Sequence, residues 1–445
     1  MFTRFITERL ISPLVGVAIV LVALDANAVP SFTRQTGRPC SGCHTVFPEL
    51  TPYGREFKLG GFVAGDKLAG KSLPLRLPVS VSAVTSRSST RKTSDVTPDN
   101  FPHDRETVIQ EASVYYGGRI AGNVGALVQY KYHALDFKWA TEMAEVRYAN
   151  ETTLGKEQQL IYGATVNNNP SIADIYNSTP MWAFPHLGSD VSVMSNAGVL
   201  VDNALASQVG GVGLYARWNE LVYAELDVYR KATGIFHPFA SGVAIANVVD
   251  GYAPYWRLAL QYESLPHSFE VGTYGITANI FPDATRAVGP SDRVRDAAFD
   301  AQYQYIQGDH SVSAHATIIH ETQDWQASFP QGLSANLSST LRTSRVDVHY
   351  FYQHRLGGAI QYFSTSGDTD AVRYNTGDAV TGSVRGSPDS SGWIARVNYL
   401  PIENIQLGVQ YTAYGNFNGR RANYSGSGRQ AADNDSAYIY LWILY

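Results

Sequence analysis

The feature that most constrains the fold is a period of two in the side chains over most of the chain. From residue 75 onward, stretches of about ten residues alternate between apolar and polar side chains and then end in turn residues. In one such stretch, Glu225 and Asp227 alternate with Leu226 and Val228. In an extended strand this alternation places one kind of side chain on each face. Repeated alternating strands are typical of membrane β-barrels, which face lipid on one side and a polar lumen on the other.

The same alternation predicts sixteen strands, an even number as bacterial barrels require. Their predicted ranges are 76–86, 106–117, 121–133, 138–149, 157–167, 208–218, 221–231, 253–262, 267–278, 295–306, 310–321, 340–352, 356–365, 391–400, 404–414 and 435–445. In the fifteenth strand, the side chains expected to face outward are Ile405, Leu407, Val409 and Tyr411. Those expected to face the lumen are Gln406 and Gln410.

The predicted connections alternate between short turns and long links. Short turns are expected at Gly118, 219–220, 308–309 and 401–403, and 134–137 is a short link among the long ones. The long links are 87–105, 168–207, 232–252, 279–294, 322–339, 366–390 and 415–434. Since short turns face the periplasm in this class, the N-terminal segment and the C-terminus are both expected on that side. The chain also ends on an aromatic residue, Tyr445, which resembles the terminal signal of outer-membrane barrels.

Composition agrees with a barrel and excludes other classes. Charged residues make up 16% of the 445 residues, against about 25% in soluble domains, and there are 28 tyrosines to supply interfacial girdles. The net charge of -5 argues against a nucleic-acid partner. After the first residues, no apolar run approaches the roughly 18 residues of a spanning helix. A soluble propeller or sandwich is the rival architecture, but the sequence lacks a repeated blade period.

Residues 1–28 have the three parts of a secretory signal peptide. Arg4 and Arg9 give a positive start, an apolar stretch follows, and residues 26–28 form an A-x-A cleavage site. We therefore expect export, with cleavage before Val29. The two cysteines of the whole chain exclude a disulfide scaffold, although an exported chain could form one.

Both cysteines lie in residues 40–44, which read Cys-Ser-Gly-Cys-His. This string is the signature of c-type haem attachment. Cys40 and Cys43 can form thioethers along one edge of a porphyrin, and His44 is then placed to bind the haem iron as proximal ligand. A zinc site would need four ligands, yet residues 29–102 contain no other Cys or His. A redox dithiol would not need the histidine, and it should lie in a βαβ pattern, which the sequence lacks.

The distal haem ligand stays open at this level. No methionine lies near the motif, so the iron is five-coordinate, or a local group binds it, or a distant residue folds back. The local groups are Lys58 and Tyr53, and the distant methionines are Met143, Met181 and Met194.

The segment 29–74 is predicted to be a small haem-bearing unit that leans on the larger domain 75–445, because it is too short to bury much core by itself. A helix is expected from Thr51 to Leu59, with Thr51 as cap and Gly60 at its end. Residues proposed to cover a haem face are Phe57 and Leu59. Residues proposed to pair with propionates are Arg34, Arg55 and Lys58, with a solvated surface role as the alternative.

The stretch 30–62, with CSGCH followed by FPELTPYGREFKLGGF and then a barrel-length chain, resembles the fused monohaem cytochrome c–porin of the outer membrane in iron-oxidising bacteria. The resemblance implies one covalent haem c carried by Cys40, Cys43 and His44, within or under a sixteen-stranded barrel. It implies that electrons from extracellular Fe(II) reach a periplasmic c-type cytochrome or similar carrier, as in an Fe(II):cytochrome c oxidoreductase. It supplies no distal ligand.

Two other functions stay open, namely a haem conduit for another donor or acceptor and a diffusion porin with a structural haem plug. For the iron function, the donor site is expected at the outer mouth, where Fe(II) would meet carboxylates and imidazoles. The loop residues considered are Asp95, Asp99, His103, Asp104, Asp190, His237, Asp368 and Asp370, and each could equally serve solubility. In the longest link, the apolar patch 181–186 is expected either to fold into the lumen or to pack against neighbouring loops.

Overall fold

A computed structural model of the chain describes residues 30–64, 78–93, 104–133, 137–155, 157–179, 188–195 and 197–445. The predicted signal peptide lies outside the described residues. So do Met181, the apolar patch 181–186, and the loop candidates Asp95, Asp99 and His103.

Sixteen antiparallel strands form a closed barrel in which every strand pairs with its neighbours in sequence and β1 pairs with β16. The predicted number and order of strands are therefore confirmed. The strands are β1 Val79–Thr90, β2 Thr107–Ala121, β3 Val124–His133, β4 Lys138–Leu154, β5 Gln158–Asn167, β6 Val209–Trp218, β7 Val222–Lys231, β8 Ala253–Ser264, β9 His267–Ile280, β10 Asp292–Gln307, β11 His310–Asp324, β12 Ser338–Tyr352, β13 Leu356–Gly367, β14 Ser390–Ile402, β15 Ile405–Asn416 and β16 Ser436–Leu444.

The barrel is polar inside and apolar outside. On β7, Glu225 and Asp227 are buried while Leu226 between them is 68% exposed. Leu214 on β6 and Phe299 on β10 are likewise 69% and 70% exposed. A water-soluble barrel would bury these apolar side chains, so this pattern is that of a barrel surrounded by lipid.

The predicted directions on β15 are largely confirmed. Gln406 and Gln410 are buried, and the three apolar side chains Leu407, Val409 and Tyr411 are exposed. Ile405 is the exception, because it is buried at the first position of the strand, where it pairs with Ile443 of β16.

Short turns lie at one end of the barrel and longer connections at the other, as predicted. The described residues of the short turns are 122–123, 155, 157, 219–221, 265–266, 308–309, 353–355 and 403–404. The first turn is displaced from the predicted Gly118, because β2 continues to Ala121 and Gly118 pairs with Ala126 inside the sheet. The chain end at Tyr445 lies with the short turns, since its carbonyl accepts a 2.8 Å hydrogen bond from the N–H of Val81 near the start of β1.

The segment 30–64 forms three short helices, α1 Ser31–Thr36, α2 Cys40–Cys43 and α3 Pro52–Leu59. The predicted helix α3 is confirmed, with the Thr51 side chain accepting from the Gly54 N–H at 3.1 Å and Gly60 following its last residue. Among the described residues, no helix combines the length and apolar character that crossing a membrane would require.

Polar contacts place this segment inside the barrel, at the end that carries the short turns. The guanidinium of Arg55 donates to Gln304 of β10 and Ser268 of β9, both at 2.8 Å. The hydroxyl of Tyr215, on β6, donates to the carbonyl of Leu59 at 2.8 Å. These partners are buried side chains of the lumen wall, so the segment lies within the lumen rather than outside it.

The connection between β5 and β6 also folds into the lumen. It contains a fourth helix, α4 Pro170–Ala173, and the buried residues Ile175 and Tyr176. The Tyr176 hydroxyl donates to Gln261 of β8 at 2.7 Å. The described part of this connection therefore packs against the barrel wall and against the segment 30–64, whose Lys58 donates to the carbonyl of Asp174 at 3.0 Å.

Candidate cofactor site

Helix α2 places the two cysteines one turn apart at the rim of the lumen. Pro39 precedes the helix in extended backbone, and the N–H of His44 donates to the carbonyl of Cys40 at 2.9 Å, which closes the turn. Both thiols are free and half-buried. The predicted attachment residues Cys40, Cys43 and His44 are therefore presented together by one short helix and the residue that follows it.

All three residues line a single cavity between the segment 30–64 and the barrel wall. Its unfilled space, including the part open to solvent, is about 1150 Å³. The remaining apolar lining includes Phe32, Phe47, Phe57, Phe62, Leu127, Met143, Ile172 and Leu444. A cavity with two thiols and an imidazole at one edge and aromatic walls suits a flat, apolar group such as a porphyrin.

The imidazole of His44 is held in one orientation by its own loop. Its Nδ1 lies 3.1 Å from the carbonyl oxygen of Pro48, and because a carbonyl only accepts, Nδ1 carries the proton. Phe47 packs edge-on to the ring at 5.0 Å between centroids. Burial lowers the pKa of His44 to about 4, so the ring is neutral near pH 7. A neutral imidazole with Nδ1 engaged presents Nε2 as the metal-binding atom.

The environment of the thiols differs from that of a redox pair. Burial and, after it, the carboxylate of Glu403 raise the pKa of Cys40 to about 11. Burial also raises the pKa of Cys43, while Arg38 opposes this increase. Reactive dithiols need a lowered pKa to form the attacking thiolate. The raised pKa of both thiols is therefore unlike that of a reactive dithiol.

The three cationic residues predicted to pair with propionates, Arg34, Arg55 and Lys58, have different hydrogen-bond partners in the structure. Arg55 is turned away from the cavity towards Gln304 and Ser268, so the prediction for Arg55 is wrong. Arg34 donates to the carbonyl of Val79. Lys58 lines the cavity, but its ammonium donates to the carbonyls of Ile172 and Asp174 and lies 3.7 Å from Glu145.

Sequence reasoning missed Arg38, which lines the cavity beside the thiols. Its guanidinium stacks on the ring of Tyr53 at 4.0 Å. The residue directly precedes Pro39-Cys40, so proximity to the motif was the signal that could have identified it. The stacking also occupies Tyr53, one of the two local residues considered for the distal position.

Of the distant methionines that the structure describes, Met143 reaches the cavity. It lies on β4, is buried, and packs with Tyr115 and Ile172. Met194 is elsewhere, 61% exposed and lining a second, larger cavity. Among the described residues named for the distal position, Lys58 and Met143 therefore line this cavity.

Of the two apolar residues proposed to cover a haem face, only one lines the cavity. Phe57 lines the cavity and packs against Phe32 with ring centroids 5.0 Å apart. Leu59 faces the other way and packs with Ile175 and Tyr223, so the prediction for Leu59 is wrong. The reason is the helical period, because two residues along α3 correspond to slightly more than half a turn, so the two side chains point in nearly opposite directions.

The described loop candidates for Fe(II) do not converge. His237 and Asp190 are exposed, and Asp104 lies 3.4 Å from Arg105. Asp368 and Asp370 accept loop hydrogen bonds, for example from the N–H of Thr340 at 2.8 Å and from the Ser334 hydroxyl at 2.6 Å. Within the described ranges, none of these residues joins a group of three side chains spaced to hold a metal ion.

No protein-family profile and no curated protein matches the chain. Among solved structures, it is similar to a loop L8 deletion mutant of OmpT, an outer membrane protein of Vibrio cholerae, with 10% identity over 82% of this chain and 98% of that chain and a TM-score of 0.44. OmpF of Salmonella typhi in complex with daunomycin shows 13% identity over 82% and 97%, with a TM-score of 0.42. The outer membrane channel DcaP of Acinetobacter baumannii shows 10% identity over 82% and 96%, with a TM-score of 0.45.

Proposed function

We propose that this protein is an outer-membrane electron conduit that oxidises extracellular Fe(II) and passes the electrons, through one covalent haem c, to a periplasmic carrier. The observation that carries the proposal is the meeting of Cys40, Cys43 and His44 at one apolar cavity inside the lumen of a closed barrel. The choice of iron rests on the resemblance of residues 30–62 to the cytochrome c–porins of iron-oxidising bacteria.

Placement in the outer membrane is supported by the polarity of the barrel surface. Large apolar side chains such as Leu214, Leu226 and Phe299 face outward, and the buried face carries charged residues such as Glu225. In lipid, a sheet must also satisfy all its backbone hydrogen bonds, which the β1–β16 pairing accomplishes. The N-terminal signal sequence supports export.

The residues of the cavity would have separate roles in holding a haem. Cys40 and Cys43 would form the thioethers, His44 would bind the iron through Nε2, and Arg38 is placed to meet a propionate. Phe32 and Phe57 would shield the ring faces from water. When bound, the haem supplies an iron that accepts and releases one electron at a time.

Met143 would be the residue that completes the iron coordination. It lines the same cavity as His44, and a methionine thioether is a soft ligand of haem iron in cytochromes c. Lys58, the other cavity-lining candidate, already donates to two carbonyls, including that of Asp174 at 3.0 Å.

The position of the segment suggests the direction of transfer. Each Fe(II) oxidised would give one electron to the ferric haem, and an oxidised periplasmic cytochrome would then remove that electron. Residues 37–39 beside the cavity are exposed at the end with short turns, the end that faces the periplasm in this class of barrel. A soluble carrier could therefore approach the thioether edge of the haem without entering the lumen.

The decisive experiment mixes purified, oxidised protein with Fe(II) under anaerobic conditions and follows the reduced haem bands. We expect reduction at a rate that depends on Fe(II) concentration. The His44→Ala variant should still insert as a heat-modifiable barrel, yet it should take up no electrons from Fe(II). A His320→Ala variant, altered at an exposed position of β11, serves as the matched control and should behave as the parent.

The two alternatives give different results in the same preparation. A conduit for another donor would leave the haem oxidised in Fe(II) but reduce it with that donor. A diffusion porin with a structural haem plug would conduct ions in planar bilayers, and its conductance would be indifferent to loss of the haem. Absence of reduction by Fe(II) at any pH near growth conditions would overturn the iron function.

A further inference from the structure

A cluster of two histidines and two carboxylates lies in the lumen, outside the cavity described above. His349 is central: its Nδ1 lies 2.9 Å from Glu49 and its Nε2 lies 3.0 Å from Asp347. His315 lies 2.8 Å from Asp347 and 3.8 Å from Glu49. Ligand atoms of Glu49, His315 and His349 all lie within 4.8 Å of one another.

The positions of these side chains are set by the sheet and by one loop. His315 on β11 and Asp347 on β12 are directly paired across the two strands, and His349 is the next inward residue of β12. Glu49 comes from the loop that follows the CSGCH motif and is fully buried. The cluster therefore forms only when the segment 30–64 is seated in the lumen.

We propose that this cluster is a binding site for one divalent first-row transition-metal ion, and that Fe²⁺ is the ion it takes. Two imidazoles with carboxylate oxygens form the ligand set typical of non-haem Fe(II) sites. The naming of Fe²⁺ rests on the proposed function, whereas the existence of the site rests on the geometry alone.

The charges of the cluster match those of one divalent ion. Two buried carboxylates, Glu49 and Asp347, would balance the two positive charges of a cation held by two neutral imidazoles. The occupied site would then have no net charge, which avoids the large cost of burying an uncompensated charge.

Neighbouring amides orient the ligands. The Gln304 side chain donates to Glu49 at 3.0 Å and itself accepts from Arg55 at 2.8 Å. Gln302 lies 2.8 Å from Nε2 of His315. Such outer partners hold the ligands of metal sites in place and increase metal affinity.

The cluster is connected to the proposed haem ligand by a few bonds. Glu49 follows Pro48, whose carbonyl accepts the hydrogen bond from the imidazole of His44. The loop is closed by hydrogen bonds between the Glu49 N–H and Val46 at 2.7 Å and between the Thr45 N–H and Glu49 at 3.2 Å. An Fe²⁺ bound by Glu49 would lose one electron to the ferric haem and leave as Fe³⁺, and the oxidised periplasmic cytochrome would then take that electron.

A second cavity lies between the cluster and the end with long connections. The second cavity, whose unfilled space including the part open to solvent is about 1880 Å³, is lined on β12 by Thr343 and Arg345, and Asp347 is the next inward position along the same strand. Two residues of strand span about 7 Å. Arg345 pairs with Asp202 of the β5–β6 connection at this point, so this ion pair separates the cavity from the cluster.

The test is equilibrium dialysis of Fe²⁺ against the haem-loaded protein, kept anaerobic and with the haem reduced beforehand so that no electron transfer can occur. We expect one Fe²⁺ per chain in the parent protein. His315→Gln and His349→Gln should each weaken binding at least about 10-fold. His320→Gln, on the exposed face of β11, is the matched control and should bind as the parent does.

The outcomes separate the site from the proposed function. If both cluster variants bind Fe²⁺ as tightly as the parent, the proposed site is wrong. It is also wrong if the parent shows no stoichiometric binding, even if Fe(II) reduces the haem. Cluster-dependent binding without haem reduction by Fe(II) supports the site and overturns the iron function of the conduit. If a histidine variant fails to fold, Asp347→Asn replaces it, and unchanged binding in that variant would count against the site.

Discussion

The backbone N–H of Cys40 donates a 2.8 Å hydrogen bond to the carboxylate of Glu403, in the turn between β14 and β15. The same carboxylate accepts from the Ser41 hydroxyl at 3.1 Å. Glu403 thus caps helix α2, which carries both thiols, and ties it to the rim of the barrel. A carboxylate from the far end of the chain holds the proposed attachment site in position.

We predict that Glu403→Gln lowers the pKa of the Cys40 thiol in haem-free protein. Burial is the largest cause of its raised pKa, and the Glu403 charge is the next, so removing that charge stabilises the thiolate. The measurement is the pH dependence of alkylation of Cys40 in a Cys43→Ser background. Glu220→Gln, in the turn between β6 and β7, is the control, and an identical pH profile for Glu403→Gln and the parent would contradict the prediction.

Met143→Leu should remove the sixth ligand of the proposed haem. Leu fills a similar volume but lacks the sulfur, so the ferric haem should change from low-spin to high-spin and its reduction potential should fall. Electron paramagnetic resonance and a redox titration measure the two effects. The matched control is Met194→Leu, since Met194 is exposed at the other cavity. A low-spin spectrum in Met143→Leu would exclude Met143 as the ligand.

The segment 30–64 should lose stability in haem-free protein as the pH falls from about 6.5 to about 4. Burial lowers the pKa of His44 to about 4 in the folded chain, against 6.5 ordinarily, so the unfolded state binds more protons within this window. Hydrogen exchange of the segment, in a Cys40→Ser/Cys43→Ser background, gives its opening free energy at each pH. Adding His44→Gln should flatten this dependence; a slope that persists would assign it to other groups.

Arg257→Met should destabilise the barrel by about 3–5 kcal/mol, because it leaves buried carboxylates without their counter-charge. The guanidinium lies 2.5 Å from Asp300, 3.0 Å from Glu270 and 3.7 Å from Asp174. Urea unfolding in detergent, followed by tryptophan fluorescence, measures the change. Arg293→Met, at an exposed position of β10, should change the stability little, and equal midpoints for the two variants would show that the buried ion pairs contribute nothing net.

The strands and turns could be predicted from the sequence because their signal is local. A period of two along β7 or β15 depends only on which face of each strand meets lipid, and the turns interrupt that period at nearly regular intervals. The attachment motif is local as well, since Cys40, Cys43 and His44 lie on one helical turn. The first turn was predicted too early, at Gly118, because β2 continues to Ala121, beyond the residues whose side chains alternate.

The surroundings of the motif could not be read from the chain in the same way. Met143, Glu403 and His349 reach the segment 30–64 from three different regions of the barrel, and nothing in their local sequence marks them. Their positions follow from the register of sixteen paired strands and from how deeply the segment enters the lumen. Local periodicity therefore determined the barrel, and a string of five residues determined the proposed attachment motif. Barrel closure alone decided which distant side chains meet at that motif, because contacts across a lumen depend on every intervening strand pairing.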